Sequence, residues 1–306
     1  TETLVEDLIK KDGKIVGVRT GRADGDLYAD CIIAADGVNS QISQKAGLRP
    51  EIKPDQVATA VKEIIALPKE TIRNRFNLPK HMGATIEFIG KTSKGMVGVG
   101  FIYTNKESLS VGIGCLAEDF VKYGVKPYEL LDEIKKHPLI APLIEGGETK
   151  EYLAHLIPEG GYNAIPPLYT DGMLVVGDAA MLVNGLHREG SNLAIESGRL
   201  AAQTVIEAKA KNDFSKASLS SYKKKMYNSF IIKDLKKYSN ATTLLEKNRQ
   251  FINLYPDLVS DSAKEFLTVD GVSKRDKEWK IIWSLIRRRG IFGLIWDAIT
   301  GLRMFE

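Results

Sequence analysis

Three stretches predict a mixed α/β fold with an inserted antiparallel sheet and a helical carboxyl-terminal region. The first is LVVGDAA, residues 174–180, where Leu174, Val175 and Val176 form the short apolar run of a strand buried on both faces. The second is the alternation of apolar and polar side chains across 55–116, the mark of antiparallel strands. The third is the helical periodicity over 191–208 and again from 214 onward. The chain is 43% hydrophobic and 27% charged over 306 residues, ample for one large core or two domains, and its net charge of +4 is too mild to imply a nucleic-acid partner. It divides into four parts: 1–50 and 165–210 as two pieces of one α/β ligand-binding domain, 51–164 as an antiparallel-sheet domain on the substrate side, and 211–306 as a helical region.

The first elements form a meander. Residues 3–9 and 14–20 read as strands joined by the turn Lys11-Asp12-Gly13-Lys14, and 27–35 as a third strand ending in CIIAA. The chain opens at Thr1 directly in this strand-like stretch, which reads as a fragment of a longer protein. AADGVNS, 34–40, then leads into a short helix reaching Gly47. Asp36-Gly37 sits where a buried strand runs out, the place where open α/β sheets bind ligands. The plainer reading is a strand-to-helix turn capped by Asn39 or Ser40.

Within the alternating region, strands are expected at 57–67, 84–89, 96–104 and 108–115, with a helical insert at 70–76. Gly112-Ile113-Gly114-Cys115-Leu116-Ala117 matches the G-x-G-x-x-G/A dinucleotide pattern. The chain then enters an amphipathic helix over 127–137, not a second buried strand ending in an acid, so these glycines are assigned to close packing within a sheet. Helices broken at Pro127, Pro138 and Pro142 fill 118–147, and 151–157 is a further strand. PEGGYNAIPP, 158–167, joins the flexible pair Gly160-Gly161 to stiffening prolines. Such a loop lets a flat ligand approach backbone closely, or simply makes a tight return to the first domain.

After LVVGDAA and a loop holding Gly185 and Gly190 comes the helix 191–208, with Ser191 or Asn192 as N-cap and Leu193, Ala194, Leu200, Ala201 and Val205 as its core stripe. A buried strand, a carboxylate at its end and a helix amino end together suit a polyhydroxylated, anionic ligand. The plainer reading makes Asp178 a helix cap. Residues 214–247 are helical with lysines on solvated faces. The final segment, 278–306, gathers Trp279, Trp283, Trp296 and the run Arg287 to Arg289. Packing on the protein's own core is expected for most of its apolar residues, with contact along a membrane surface as the alternative. No apolar run reaches the roughly 18 residues of a membrane span. Cys31 and Cys115 build no disulfide framework, zinc site or iron–sulfur site and are expected to be buried thiols in a reducing compartment. No metal ligands and no acid–base or nucleophilic catalyst stand out.

With AADGVNS about 140 residues before DGMLVVGDAA, the sequence resembles the flavoproteins of the p-hydroxybenzoate-hydroxylase-like superfamily. Within it, the chain is similar to the family of FixC and electron-transfer-flavoprotein:quinone oxidoreductase, allied to the geranylgeranyl reductases. PEGGYNAIPPLYTDGMLVVGDAA, GFIYTNKESLSVGIG, GSNLAIESGRLAA and the Trp/Arg-rich tail carry the likeness over nearly the whole chain. The resemblance implies an FAD-binding domain in which Asp178, flanked by Gly177 and Ala179, holds a ribityl hydroxyl. Gly190, Ser191 and Asn192 would face the pyrimidine side of the flavin, Asp36 and Gly37 would lie near the pyrophosphate and ribityl region, and the Val5 backbone would touch the adenine. Glu159, Gly160 and Gly161 would lie on the quinone side, and His187 and Arg188 would tune the flavin or be plain surface.

Two departures from the family pattern stand out. The amino-terminal β-α-β unit with G-x-G-x-x-G is not in this sequence, and no cysteine set for an iron–sulfur cluster is present. The implied function is FAD-dependent transfer of electrons from an electron-transfer-flavoprotein-like partner, or a ferredoxin-like iron–sulfur subunit, to a membrane quinone. The implied location is the cytoplasm, peripheral on the inner face of the cell membrane. The alternatives are a geranylgeranyl-reductase-type enzyme saturating isoprenoid double bonds, and an inactive FAD-domain fragment serving as an assembly subunit.

Overall fold

The computed structural model describes residues 2–304. In chain order its strands are β1 (Val5–Lys11), β2 (Lys14–Thr20), β3 (Asp26–Tyr28), β4 (Ile32–Ala34), β5 (Val57–Ala66), β6 (Thr85–Phe88), β7 (Gly98–Thr104), β8 (Ser108–Leu116), β9 (Glu148–Pro158), β10 (Tyr169–Thr170) and β11 (Met173–Val175). The helices are α1 (Gln41–Lys45), α2 (Lys69–Arg75), α3 (Ala117–Tyr123), α4 (Pro127–Lys135), α5 (Ala141–Ile144), α6 (Ser191–Ala210), α7 (Lys216–Asn228), α8 (Phe230–Lys237), α9 (Ala241–Lys247), α10 (Gln250–Asn253), α11 (Tyr255–Leu267), α12 (Lys274–Arg289) and α13 (Ile291–Arg303). They fall into two compact units, Thr1–Val57 with Leu156–Thr242, and Ala58–His155 with Thr243–Glu306.

In the first unit, β1, β2 and β3 form an antiparallel meander, and β10, β11 and β4 a second small sheet. The single strand expected over 27–35 is divided between them. β3 follows β2 until the Ala29 N–H donates to Val16 O (3.0 Å); the chain then leaves, and the Ile32 N–H donates to Gly172 O (2.8 Å). Gly172 is held at φ +76° with Ile15 O only 2.0 Å from where a Cβ would stand, so no other residue fits at this junction. β4 runs parallel to β11, pairing Ile32 with Met173 and Ala34 with Val175. Met173, Leu174 and Val175 are fully buried, as the apolar run demands. α6 lays Leu193, Leu200, Ala201 and Ala208 on this core, with Ala194 and Val205 only partly covered. Its buried Thr204 bonds within the helix, donating to Leu200 O. α7 and α8 add Leu219, Met226, Ile231 and Ile232 to this core, and the buried Tyr222 hydroxyl donates to Val175 O (3.1 Å).

The second unit is built on a sheet in the order β6-β7-β8-β5-β9. Val61, Ile102, Leu109, Val111 and Ile113 meet Leu130, Leu131 and Ile134 of α4 in its core. At Gly112 a Cβ would stand 2.4 Å from the Phe101 ring and 2.6 Å from Val61 O. These glycines therefore serve strand packing in an antiparallel sheet, not a phosphate loop. The carboxyl-terminal helices are tied to this sheet by Arg249, which grips Asp119 with two bonds of 2.6 and 2.7 Å while the Val97 N–H donates to Asp119 Oδ2 (2.7 Å).

The last two helices correct the expectation that their apolar residues pack on the core. α12 buries Lys277, whose ammonium donates to Thr268 O and pairs with Asp270, and α13 buries Asp297 and Thr300. Trp283 is 64% exposed and Phe292 85%, and Trp279, Ile295, Trp296, Ile299 and Leu302 also face out. The cause is the Asp297 carboxylate, which accepts from Arg289, Gln250 and Tyr255 and so turns that side of α13 inward. Arg288 pairs with Asp261 at 2.7 Å, so two arginines of the basic run serve internal bonds.

These ties carry two expectations for stability. Arg249→Met leaves the buried Asp119 carboxylate without its cation and should destabilise by about 3 kcal/mol in denaturant titration. The Arg289 guanidinium and its neighbours hold the Asp297 carboxyl down to about 2, from an ordinary 3.8. Its stabilising effect is complete above the ordinary value and lost as pH falls through the folded one. The melting-temperature gap between the wild type and Asp297→Asn should therefore narrow as pH falls from about 3.8 towards about 2.

Candidate functional site

The parallel register of β4 and β11 sets two turns side by side, and the Val176 N–H extends the pairing by donating to Ala34 O (3.0 Å). On the β4 side, the exposed Asp36 accepts from the Ile42 N–H (2.9 Å) and the Ser40 hydroxyl (3.2 Å). The capping role expected of Asn39 or Ser40 thus falls to Asp36, because Ser40 adopts a left-handed backbone (φ 41°) with no cap bond of its own. Gly37 stands at φ +72° with open space where a Cβ would be. Val5, at the start of β1 in the meander, pairs with Thr20 and packs its side chain on the core.

On the β11 side, residues Gly177–Ala180 make a 3-10 turn. Gly177 lies at φ +58°, its N–H donating to Ser197 Oγ (3.0 Å), with Ala194 Cβ 3.2 Å from its own Cβ position. That approach seats the start of α6 against the turn. Asp178 is half-buried, and its carbonyl accepts from the Met181 N–H (2.9 Å); Ala179 is fully buried.

The N-cap of α6 is Gly190, not Ser191 or Asn192. Asn184 and Glu189 exchange backbone bonds (2.8 and 3.2 Å) and close the loop, bringing position 190 within 3.2 Å of Val183 Cγ2 and 3.9 Å of Asp178 Oδ1, measured from the Cβ position. Ser191 and Asn192 occupy the first turn and are exposed. Gly190 brings no capping side chain and no acid lies in the first turn. The first-turn amide donors and the positive end of the helix dipole make this an end that favours an anion.

Arg49 is a site residue that motif reading misses. It is buried and donates to Ala179 O (3.3 Å) and Met181 Sδ (2.8 Å), directly beneath the turn carrying Asp178. Burial lowers its pKa, and the nearby carboxylates of Asp36 and Asp178 oppose that shift. The signal for it is Gly47-Leu48-Arg49 just after α1: a cation trailing a buried element needs anions close by.

A second loop reaches the same turn. Glu159 bonds through its N–H to Gln56 O (2.7 Å), and its Oε2 lies 2.0 Å from where a Cβ on Gly185 would be. The residue keeps some surface, yet its carboxyl end is enclosed, and that burial pushes its pKa up to about 7 against the pull of Arg188. Gly160 packs 2.4 Å from Ala164 Cβ and 3.5 Å from Met181 Cε, again from the Cβ position, while Gly161 (φ +56°) faces open space. His187 is exposed, and its ring meets Tyr238 edge-on at 4.7 Å. Cys31, expected to be buried, is half-buried and Cys115 fully so; burial raises both thiols, to about 11 and about 12, well away from reactive thiolates.

Asp36-Gly37, Gly177–Ala179 and Gly190–Asn192 are therefore brought together, with Gly160 joined to them through Met181. Positive-φ glycines, an uncapped helix start and a buried cation fit a ligand that carries both hydroxyls and negative charge.

The carboxyl-terminal part, 241–306, matches the family model of the ETF-QO/FixC family C-terminal domain. The chain is 52% identical over 301 residues to the FixC protein of Azotobacter vinelandii, covering 98% of this chain and 70% of that protein. It is 39% identical over 299 residues to a probable electron transfer flavoprotein-quinone oxidoreductase of Escherichia coli, covering 97% of this chain and 69% of the relative. Among solved structures, a geranylgeranyl bacteriochlorophyll reductase-like protein of Thermoplasma acidophilum superposes with a TM-score of 0.65 at 20% identity, over 93% of this chain and 66% of that one. The flavin-dependent brominase Bmp2 superposes with 0.57 at 16% identity, over 100% of this chain and 66% of that one. These likenesses establish the p-hydroxybenzoate-hydroxylase-like fold. With half of its residues shared across most of a curated relative, this chain belongs to the ETF-QO/FixC family of flavoprotein oxidoreductases in electron transport.

Proposed function

We propose that the chain binds FAD and passes electrons from an electron-transfer-flavoprotein-like or ferredoxin-like partner to a membrane quinone. The observation that carries this reading is the β4–β11 register, which sets Asp36-Gly37 and Gly177-Asp178 beside the uncapped start of α6. Asp178 would accept a ribityl hydroxyl, and Gly37, open on the Cβ side, would let the pyrophosphate region lie against backbone. The first-turn amides of Ser191 and Asn192 would meet the flavin edge that becomes negative on reduction, with the Arg49 charge beneath the neighbouring Asp178 turn. Bound FAD supplies the two-electron chemistry; the residues around it bind, orient and set its potential. Glu159, Gly160 and Gly161 are assigned to the quinone side.

α12 and α13 suit the same reading. Phe292, Ile295, Trp296, Ile299 and Leu302 form one outward stripe at helical spacing, and Trp279 and Trp283 face out from α12. An amphipathic pair of this kind lies in the plane of a bilayer surface, where a quinone would be reached. No helix among the described residues is long and apolar enough to cross a membrane.

Three outcomes test this. The purified protein, supplied with FAD, should show a flavin spectrum and reduce a short-chain quinone; saturation of an isoprenoid double bond without quinone reduction would favour the reductase alternative instead. Asp178→Ala should raise the FAD dissociation constant at least about tenfold by fluorescence titration, the loss of one charge-assisted hydrogen bond. The double variant Trp283→Ser with Phe292→Ser should lose co-sedimentation with anionic phospholipid vesicles while keeping its circular-dichroism spectrum, since both side chains face out.

A further inference from the structure

Glu159 stands out as the enclosed carboxyl next to the glycine pair. Its carboxyl end lies so close to Gly185 that any side chain there would displace it. Its own loop is anchored by the Glu159 N–H to Gln56 O, and its neighbour Gly160 touches Met181, whose sulfur is held by the buried Arg49. Of the residues packed around this loop, Gln56 and Met181 carry no titratable group, and the 184–190 loop brings the exposed His187, Arg188 and Glu189, of which Arg188 is the charge that acts on the carboxyl.

We propose that Glu159 is the proton donor of this site, giving its proton to an acceptor reduced beside Gly160-Gly161 and regaining one from water on the Arg188 side. The proposal rests on the quinone reading of the site. Reduction of a quinone to its hydroquinone adds two electrons and two protons. Bound FAD, once reduced, would supply both electrons, and one of the two protons would come from solvent. The second proton comes from Glu159: its O–H bond breaks as an O–H bond forms on the quinone oxygen, and the carboxylate left behind takes up a proton from water. Partial enclosure suits this task, because a carboxyl held largely among protein atoms binds its proton more tightly while water can still reach it, and Arg188 steadies the anion that forms.

The test uses Glu159→Gln and Glu159→Asp in two readouts. In the protein without added flavin, raised proton affinity of the folded state means that stability falls as pH rises between 4.5 and about 7. The wild type should lose melting temperature relative to Glu159→Gln across that window. With FAD bound, the wild type should reduce decyl-ubiquinone with a rate that declines above about pH 7. Glu159→Gln should be slower by about a hundredfold at lower pH and lack that decline, and Glu159→Asp should regain part of the rate. A Glu159→Gln protein with the wild-type rate and pH profile overturns the proton role and leaves the quinone reading standing. A flavin-loaded wild type that reduces no quinone at any pH overturns both.

Discussion

The architecture of the first unit depends on one short stretch of parallel pairing. Three residue pairs between β4 and β11, extended by the Val176 amide, join parts of the chain separated by about 140 residues. A slip of one residue would turn Leu174 and Ile33 to opposite faces and part the two acidic turns. Parallel strands need long crossovers, and here a complete antiparallel sheet occupies the connection. The site is thus defined by the join, and the inserted sheet is free to have a core of its own.

Much of this is legible in the sequence where a residue's local chemistry and its tertiary role agree. The run Leu174–Val176 is apolar because both faces are covered, and α6 begins at the residue where its periodicity begins. The alternating strands of the second unit lie within a residue or two of their expected limits for the same reason. The division of the strand over 27–35 is not legible, since nothing in its composition announces that Ile32 changes sheets; its new partner, the Gly172 carbonyl, lies 140 residues further along the chain. Propensity misreads the start of α6, preferring Ser191 or Asn192 as the cap where Gly190, close to Val183 and Asp178, takes that place. Arg49 escapes because a lone arginine has no motif until its two carboxylate neighbours are placed around it.

The tail shows the opposite failure. Hydrophobic density suggests burial, but the ionic groups of α12 and α13 claim the interior first. A carboxylate offered a guanidinium, an amide and a phenol outcompetes an indole for the inward face, because leaving those groups unpaired costs more than exposing apolar surface.

That inversion has a consequence for how the tail meets a surface. Free amphipathic segments are commonly disordered in water and lose chain entropy when they adsorb, which weakens their grip. Here Asp297, Arg289 and Lys277 already hold the two helices in shape through polar contacts on the protein side. In the proposed membrane contact the aromatic face would be presented ready-made, as a stamp and not as a rope, and desolvation of tryptophan and phenylalanine would count in full towards adhesion.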